Sequence, residues 1–214
     1  MKKADVRSVV DALKVLYPDS ICSLEYDKDY ELLFAVRLSA QCTDERVNQV
    51  TPALYARFPT LEAFAQADPE EVGEYVHSCG FFRAKSRDIV LSAQMLLRDY
   101  GGKVPGTMEE LLKLPGVGRK TANVVMSCAF GMDAIAVDTH VFRVSNRLGL
   151  ADAPDVLKTE RQLMEHIPKE QWSRAHHWLI LHGRQVCTAR RPACPTCTLH
   201  ALCEYANGNP KGKK

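Results

Sequence analysis

Four cysteines near the C-terminus constrain this chain more than any other feature of its sequence. Cys187, Cys194, Cys197 and Cys203 follow the spacing C-x6-C-x2-C-x5-C within seventeen residues. Four thiolates from one short segment can bind a cubane iron-sulfur cluster or a tetrahedral zinc ion. Zinc ribbons usually contain two C-x2-C pairs, and only the middle pair has that form here, so the spacing favours a [4Fe-4S] cluster. A structural zinc and a disulfide pair are the alternatives.

The charge of the chain is nearly balanced. Its 214 residues carry a formal net charge of +2, so no global excess of positive charge indicates a polyanionic partner. Basic residues form local clusters instead, and one of them lies around the cysteine segment. This cluster consists of Arg184, Arg190 and Arg191. A solvated surface is the alternative reading of each cluster.

The rest of the sequence indicates a cytoplasmic protein without a membrane partner. The N-terminus lacks the apolar core of a signal peptide, and no uncharged stretch is long enough to span a bilayer. Four further cysteines are scattered singly through helical patterns, namely Cys22, Cys42, Cys79 and Cys128. We interpret these four as small core residues rather than as a disulfide framework.

Helical periodicity runs through nearly the whole chain. Apolar residues recur at helical spacing from Val6 to Tyr17. Further helices are expected near 119–130, 139–148, 155–166 and 171–182, and the predicted N-caps of others are Thr43, Thr60, Asp68 and Thr107. No segment shows sustained strand alternation or a β-hairpin signal. The predicted fold class is therefore all-α.

A turn that contains two glycines joins two of the predicted helices. It reads Leu114-Pro115-Gly116-Val117-Gly118-Arg119-Lys120-Thr121. Glycine permits positive φ and a close backbone approach, and the N-terminus of the following helix carries unpaired N–H groups and partial positive charge. Val117 is expected to pack inward, while the amides of the turn bind a nucleic-acid phosphate without reading sequence. A plain helix-helix turn is the alternative.

This turn resembles the helix-hairpin-helix of the endonuclease III family of DNA glycosylases. Ser39-Ala40-Gln41 is similar to the base-replacing loop of that family, Val137-Asp138-Thr139-His140-Val141 to its catalytic aspartate segment, and the four cysteines to its [4Fe-4S] loop. The resemblance implies two helical domains with a DNA cleft between them. One is a six-helix barrel at 22–132 that contains the hairpin, and the other is a cluster domain formed by 1–21 with 133–214.

The resemblance also implies an activity. The chain is expected to be a base-excision-repair DNA N-glycosylase that removes oxidised pyrimidines from duplex DNA. As a DNA lyase it would then cleave the abasic site by β-elimination. Its expected cofactor is a [4Fe-4S] cluster, and its expected partner is double-stranded DNA with a damaged base or an abasic site. The protein is expected to be a monomer. Its expected location is that of a bacterial cytoplasmic protein that is associated with the nucleoid through DNA binding.

The resemblance also implies catalytic and DNA-binding roles for particular residues. Lys120 is expected to attack C1′ of the sugar and form a Schiff base, and Asp138 to stabilise positive charge on that sugar. The alternatives are a phosphate contact for Lys120 and a helix N-cap for Asp138. Gln41 is expected to fill the gap left by the flipped base, and Phe81, where the family more often has leucine, to act as a second wedge. Further expected DNA contacts are Leu114, Gly116, Val117, Gly118, Arg119, Thr121, His140, Arg184, Arg190 and Arg191.

Two other functions are compatible with parts of this pattern. A monofunctional adenine glycosylase of the same superfamily would release the base with water and would not require the amine of Lys120. A non-enzymatic hairpin module with a structural zinc would explain the glycines and arginines. That module would leave the pairing of Lys120 with Asp138 without a purpose.

Overall fold

The computed structural model describes residues 3–208, except for the side chains of residues 3–5. This part of the chain contains eleven α-helices and no β-strand, which confirms the all-α prediction. None of its helices is long and apolar enough to cross a membrane. The helices are α1 (Lys3–Leu16), α2 (Asp29–Leu38), α3 (Asp44–Arg57), α4 (Leu61–Gln66), α5 (Pro69–Val76), α6 (Phe82–Tyr100), α7 (Met108–Leu111), α8 (Arg119–Cys128), α9 (Thr139–Leu148), α10 (Val156–His166) and α11 (Trp172–Gln185).

The chain divides into two compact units. The hairpin unit comprises Ser23–Phe130 and contains α2 to α8, of which α7 is a single turn. The cysteine unit comprises Met1–Cys22 with Gly131–Lys214 and contains α1 and α9 to α11. The domain boundary predicted at 22 corresponds to 23 here, and the one predicted at 132 corresponds to 130.

Helix starts in the hairpin unit follow the predicted caps. The hydroxyl of Thr43 accepts a hydrogen bond from the N–H of Arg46, and the hydroxyl of Thr60 accepts one from Ala63. Thr107 caps α7 in the same way. Such side chains satisfy backbone donors that have no partner inside the helix. These contacts confirm that local polar residues set the helix boundaries.

Each unit has its own apolar core. In the hairpin unit, the rings of Phe34 and Phe64 lie 5.0 Å apart between their centroids, and those of Phe58 and Phe64 lie 5.2 Å apart. In the cysteine unit, Leu13 of α1 and Trp178 of α11 belong to one buried cluster. The N-terminal helix is thus packed into the same core as the C-terminal half of the chain.

The interpretation of the scattered cysteines as core residues is correct for one of the four. Cys79 is buried, whereas Cys22, Cys42 and Cys128 are partly exposed. The three exceptions lie at the ends of elements or in loops. Cys42, for example, lies in the turn between α2 and α3, where a helical pattern no longer determines which face is buried.

Candidate functional site

The hairpin turn anchors itself through its apolar residues. Leu114 and Val117 are 2% and 8% exposed, and the N–H of Val117 donates to the carbonyl oxygen of Leu114 at 3.1 Å. Val117 therefore packs inward as predicted. The side chains of both residues face the core, so either residue can offer only its backbone to an external ligand.

The two glycines of the turn differ in what they require. Gly116 has φ +70, and a Cβ atom there would collide with Nε of Arg37 and Oδ2 of Asp88. Gly118 has an ordinary φ of −99, and a Cβ atom there would meet nothing within 4 Å. Packing within the protein thus explains why position 116 requires glycine. At Gly118, by contrast, the protein leaves open space.

An ion pair lies under Gly116. Nη2 and Nε of Arg37 donate to Oδ2 of Asp88 at 2.7 and 2.9 Å, and both side chains are largely buried. The hydroxyl of Ser92 donates to the carbonyl oxygen of Pro115 at 3.3 Å. Three side chains from α2 and α6 therefore support the turn. Sequence reasoning missed them because no local motif connects positions 37, 88 and 92 to the hairpin.

The first residues of α8 form the exposed end of the hairpin. Arg119 and Lys120 are exposed at the first two positions of the helix, and Thr121 is partly buried. Gly118 is the N-cap and has no side chain to cap the helix. A helix start of this kind attracts anions, and two cationic side chains increase that attraction.

Two loops of the hairpin unit have left-handed backbone at a residue other than glycine. Within residues 3–208, these residues are Gln41 (φ 55) and Phe81 (φ 48), and both are exposed. Phe81 is 71% exposed, so it is not a core residue. This conformation costs a non-glycine residue about 1–3 kcal/mol, and such strain is concentrated at functional sites.

A buried lysine connects the two loops. Lys85 is 1% exposed, and its Nζ donates to the carbonyl oxygens of Leu38 and Cys79, each at 2.8 Å. Leu38 ends the helix before the loop of Gln41, and Cys79 precedes the loop of Phe81. Burial lowers the pKa of Lys85. The periodicity of α6 gives no signal for this role, because a lysine is expected on the solvent side of a helix.

Asp138 is the N-cap of α9 in the cysteine unit. Its Oδ1 accepts a hydrogen bond from the N–H of Val141 at 2.7 Å, so the carboxylate does cap the helix. Among the described residues, Oδ2 makes no side-chain hydrogen bond. The hydrogen bond to Oδ1 therefore fixes the orientation of the carboxylate.

Side chains of α9 also contact Cys187, the first residue of the cysteine segment. His140 contacts Nη2 of Arg143 through Nδ1 at 3.1 Å, and Arg143 donates to the carbonyl oxygens of Gly183 and Cys187 at 2.9 and 3.1 Å. Arg147 is buried, and its Nη1 lies 3.4 Å from Sγ of Cys187. His140 is thus part of a hydrogen-bond network. The two arginines, which sequence reasoning missed, tie the helix of Asp138 to the cysteines.

The four cysteines surround one space. Cys187, Cys194, Cys197 and Cys203 all line one cavity that is partly open to solvent. Regular structure in the segment is limited to the 3₁₀ turns Cys194–Thr196 and His200–Leu202. Burial raises the pKa of the Cys197 and Cys203 thiols. Bound metal has the opposite effect, because a metal ion stabilises the thiolate.

No three side chains in the described residues converge closely enough to form the binding site of a single metal ion. The cysteines nevertheless line the same cavity. A tetrahedral zinc requires every sulfur about 2.3 Å from one point, whereas a cubane distributes its four thiolates over four iron atoms. Four thiolate sulfurs are a donor set that either a cubane cluster or a structural zinc can use.

A histidine connects this cavity to Tyr17, the residue that directly follows α1. His182 is buried, with Nε2 at 3.7 Å from Sγ of Cys197 and Nδ1 at 3.0 Å from the hydroxyl of Tyr17. Burial lowers the pKa of His182 to about 4, so the imidazole is neutral at pH 7. The predicted contact residues around the cavity, Arg184, Arg190 and Arg191, are all exposed.

Comparison with known proteins agrees with this architecture. Residues 34–169 match the model of the HhH-GPD superfamily base excision DNA repair proteins. An endonuclease III from Synechocystis sp. is 49% identical over 209 residues, which cover 97% of this chain and 95% of that protein. One from Bacillus subtilis is 47% identical over 206 residues, which cover 96% and 93%. A solved structure of a trapped endonuclease III-DNA covalent intermediate is 47% identical, with a TM-score of 0.92, and covers 97% of this chain and 98% of that one.

Proposed function

Because the chain belongs to the endonuclease III family of the HhH-GPD superfamily of base excision DNA repair proteins, we propose a division of its reaction between Lys120 and Asp138. The chain is a DNA glycosylase and abasic-site lyase. Oxidised pyrimidines in duplex DNA are its proposed substrates. The non-enzymatic module is excluded by this family membership.

The position of Lys120 is the observation that supports the proposed lyase step. Its amine is exposed at the second residue of α8, directly after the turn proposed to bind phosphate. In its neutral form the amine attacks C1′, and the base leaves with the electrons of the glycosidic bond. The added nitrogen loses a proton, and the C1′–O4′ bond then breaks as O4′ takes up a proton, which opens the sugar and gives a Schiff base. This Schiff base acidifies the 2′ proton, and loss of that proton expels the 3′ phosphate. Water then hydrolyses the Schiff base and restores the amine.

The negative charge of Asp138 is proposed to assist the glycosylase step of the reaction. Breaking the glycosidic bond builds positive charge on the sugar, and a fixed carboxylate stabilises it. The hydrogen bond from Val141 to Oδ1 supports this role, because it orients the carboxylate before the substrate arrives. The N-cap function and the catalytic function are therefore compatible.

The hairpin is proposed to hold the DNA backbone. Open space at Gly118 allows a phosphate to approach the backbone N–H groups at the start of α8, and Arg119 adds positive charge. Leu114, Gly116 and Val117 would contribute through their backbone. Such contacts position the duplex and carry no sequence information.

Gln41 and Phe81 are proposed to enter the duplex. Both are exposed on strained backbone, and Lys85 links the chain segments from which their loops begin. Extrusion of a base leaves a gap in the stack, which a polar side chain can fill while an apolar one wedges the neighbouring step. The phenylalanine ring provides a larger wedge than the leucine that is more common in the family.

Proteins of this family generally contain an iron-sulfur cluster, and we propose a [4Fe-4S] cluster bound by Cys187, Cys194, Cys197 and Cys203. The cluster would supply structure by crosslinking a segment that has little regular hydrogen bonding of its own. Arg184, Arg190 and Arg191 would then face a phosphate backbone from a fixed loop. Our proposed location is the cytoplasm, in association with the nucleoid.

An incision assay tests the proposed substrates. Duplexes that each carry one defined lesion, such as thymine glycol, dihydrouracil or an adenine mismatch, are incubated with the purified protein. Products are analysed with and without alkali, which cleaves every abasic site. We expect the pyrimidine lesions to be cut without alkali. Release of adenine that needs alkali for strand cleavage would instead identify a monofunctional adenine glycosylase.

A further inference from the structure

We propose that Lys85 is a positioning residue for base extrusion, because its buried amine holds the loops of Gln41 and Phe81 in the arrangement in which both enter the duplex. The inference rests on the wedge roles proposed above for these two residues. It adds a residue that acts through the two loops rather than by contact with the reacting atoms.

The contacts of Lys85 join two segments that are distant in the sequence. Lys85 is 1% exposed, and its Nζ donates to the carbonyl oxygens of Leu38 and Cys79, each at 2.8 Å. Its backbone N–H donates to the carbonyl oxygen of Phe81 at 3.1 Å. Lys85 therefore contacts the segment before Gln41 through its side chain, and the segment around Phe81 through both its side chain and its backbone.

The two acceptors lie where helical segments end. Leu38 is the last residue of α2, and Cys79 is the last residue of the 3₁₀ turn His77–Cys79. The final carbonyl groups of a helix have no partner inside that helix, and a buried polar group without a partner costs about 1–3 kcal/mol. The amine of Lys85 satisfies both acceptors. It thereby fixes the points from which the two loops leave.

Both loops need such support because their backbone is strained. Gln41 and Phe81 have left-handed φ angles of 55 and 48, a conformation that costs about 1–3 kcal/mol and persists only where the surrounding structure holds it. The side chain of Phe81 is 71% exposed, so packing of its ring does little to hold the loop. The backbone is instead held from the buried side. Lys85 is a buried residue that hydrogen-bonds to both segments.

The support for these loops is separate from the support for the hairpin turn. Farther along α6, Asp88 pairs with Arg37 under the turn, and Ser92 donates to the carbonyl oxygen of Pro115. The hydrogen bonds of Lys85 go to other segments. Removal of its amine should therefore disturb the loops of Gln41 and Phe81 and leave the proposed phosphate-binding turn in place.

This separation predicts which step of the reaction depends on Lys85. Extruding a paired base costs a few kcal/mol of unpairing and unstacking, and the two inserted side chains offset that cost only if both are in place. An abasic site has no base to unstack. Loss of the amine should therefore slow base release from a paired lesion and have little effect on strand cleavage at a pre-formed abasic site. Loss of folded protein would lower both activities together.

Single-turnover kinetics of Lys85→Met test this split. Methionine keeps an unbranched side chain of similar length and removes the amine. We expect base release from a paired lesion to be about tenfold slower, because small displacements of positioning groups have large effects on rate. Cleavage at a pre-formed abasic site and affinity for undamaged duplex should stay near parental values. The matched control is Lys103→Met, which replaces an exposed lysine of the same unit and should behave as the parent.

A fluorescent signal separates extrusion from chemistry. An aminopurine placed beside the lesion becomes brighter when it loses its stacking partner, so its fluorescence should rise before the base is released. We expect a slower rise with Lys85→Met than with the parent. An unchanged rise, or equal slowing of base release and abasic-site cleavage, would overturn the positioning role.

Lys85→Gln keeps the test decisive if the methionine variant does not fold. Its amide is one atom shorter than the lysine side chain, so it cannot reach both carbonyl oxygens, and the same split between substrates is expected. Parental base release by this variant would overturn the proposal. A parent protein that releases no lesion base would instead refute the proposed function. Failure of the Lys85 proposal alone would appear as an active parent matched by its variants.

Discussion

The hairpin turn at 114–118 and the cysteine segment at 187–203 are both short irregular connections, yet different forces hold them. Side chains from α2 and α6 surround the turn, and the ion pair of Arg37 with Asp88 fits against a glycine that has no side chain. The cysteine segment has only two 3₁₀ turns as regular structure, and its four cysteines are among the residues that line one cavity. The first is therefore held by contacts within the folded protein, and we infer that the second depends on the group proposed to bind its cysteines.

Because different contacts hold the two segments, we expect substitutions in them to affect different properties of the protein. A change in the cysteines should affect the cysteine unit and leave the hairpin unit folded. A change at the hairpin can affect either stability or DNA binding, depending on which glycine is replaced. The predictions below test that separation.

Loss of one cysteine should have the largest effect on structure. In Cys197→Ser we expect the brown colour of a cluster to disappear and the cysteine unit to lose stability, since a structural metal site contributes about 10 kcal/mol or more. Limited proteolysis should then cut within 187–203 and spare Ser23–Phe130. The control Cys128→Ser should keep its colour. An intact proteolytic pattern in Cys197→Ser would contradict the dependence on a cluster.

Asp138→Asn should slow base release by about 10²–10³-fold through lost stabilisation of positive charge. Asparagine is as good an N-cap as aspartate, so α9 should remain intact and lesion binding should be preserved. The matched control is Asp155→Asn, because Asp155 caps α10 in the same unit by accepting from Lys158 at 2.8 Å. Single-turnover kinetics distinguish the two variants. Equal rates for both would reduce Asp138 to a cap.

Gly116→Ala should destabilise the hairpin unit by about 2 kcal/mol or more. The new Cβ atom requires left-handed backbone from a non-glycine residue and meets the Arg37–Asp88 ion pair. Urea unfolding of the variant gives the loss of free energy. Parental stability would show that the turn can relax, and the comparison between the hairpin and the cysteine segment would then fail.

The smallest effect on folding is expected for Gly118→Asp. Aspartate is a favourable N-cap and its Cβ meets no atom of the protein, so the free energy of unfolding should change by less than about 1 kcal/mol. Its negative charge should still weaken binding to damaged and undamaged duplexes by about tenfold, because phosphate contacts dominate affinity. Binding at matched salt measures this. Parental affinity would make the hairpin a simple connector.

The sequence predicted features that depend on neighbouring residues. N-caps such as Thr43 and Thr60, the inward position of Val117 and the all-α class all follow from local patterns. The identity of the family followed from motifs, because their order and spacing are specific. In these parts of the molecule, a few consecutive residues are enough to determine the local structure.

The sequence could not predict contacts made over long separations. Arg37 lies 51 positions from Asp88, and Lys85 lies 47 positions from Leu38, so no periodic pattern relates them. Arg147 on α9 was likewise unexpected as a partner of Cys187, because a charged residue in a helix is normally assigned to its exposed face. Burial of charge is decided by the folded environment.

Borohydride trapping tests the central claim most directly. Borohydride reduces a Schiff base to a stable amine and so links the protein covalently to lesion-containing DNA. The parent protein and the control Lys113→Gln, which removes an exposed lysine paired with Glu109 at 3.5 Å, should both be trapped. Lys120→Gln should bind the lesion duplex and give no trapped species. Undiminished trapping by Lys120→Gln would assign the nucleophile to another amine and contradict the proposed division of the reaction.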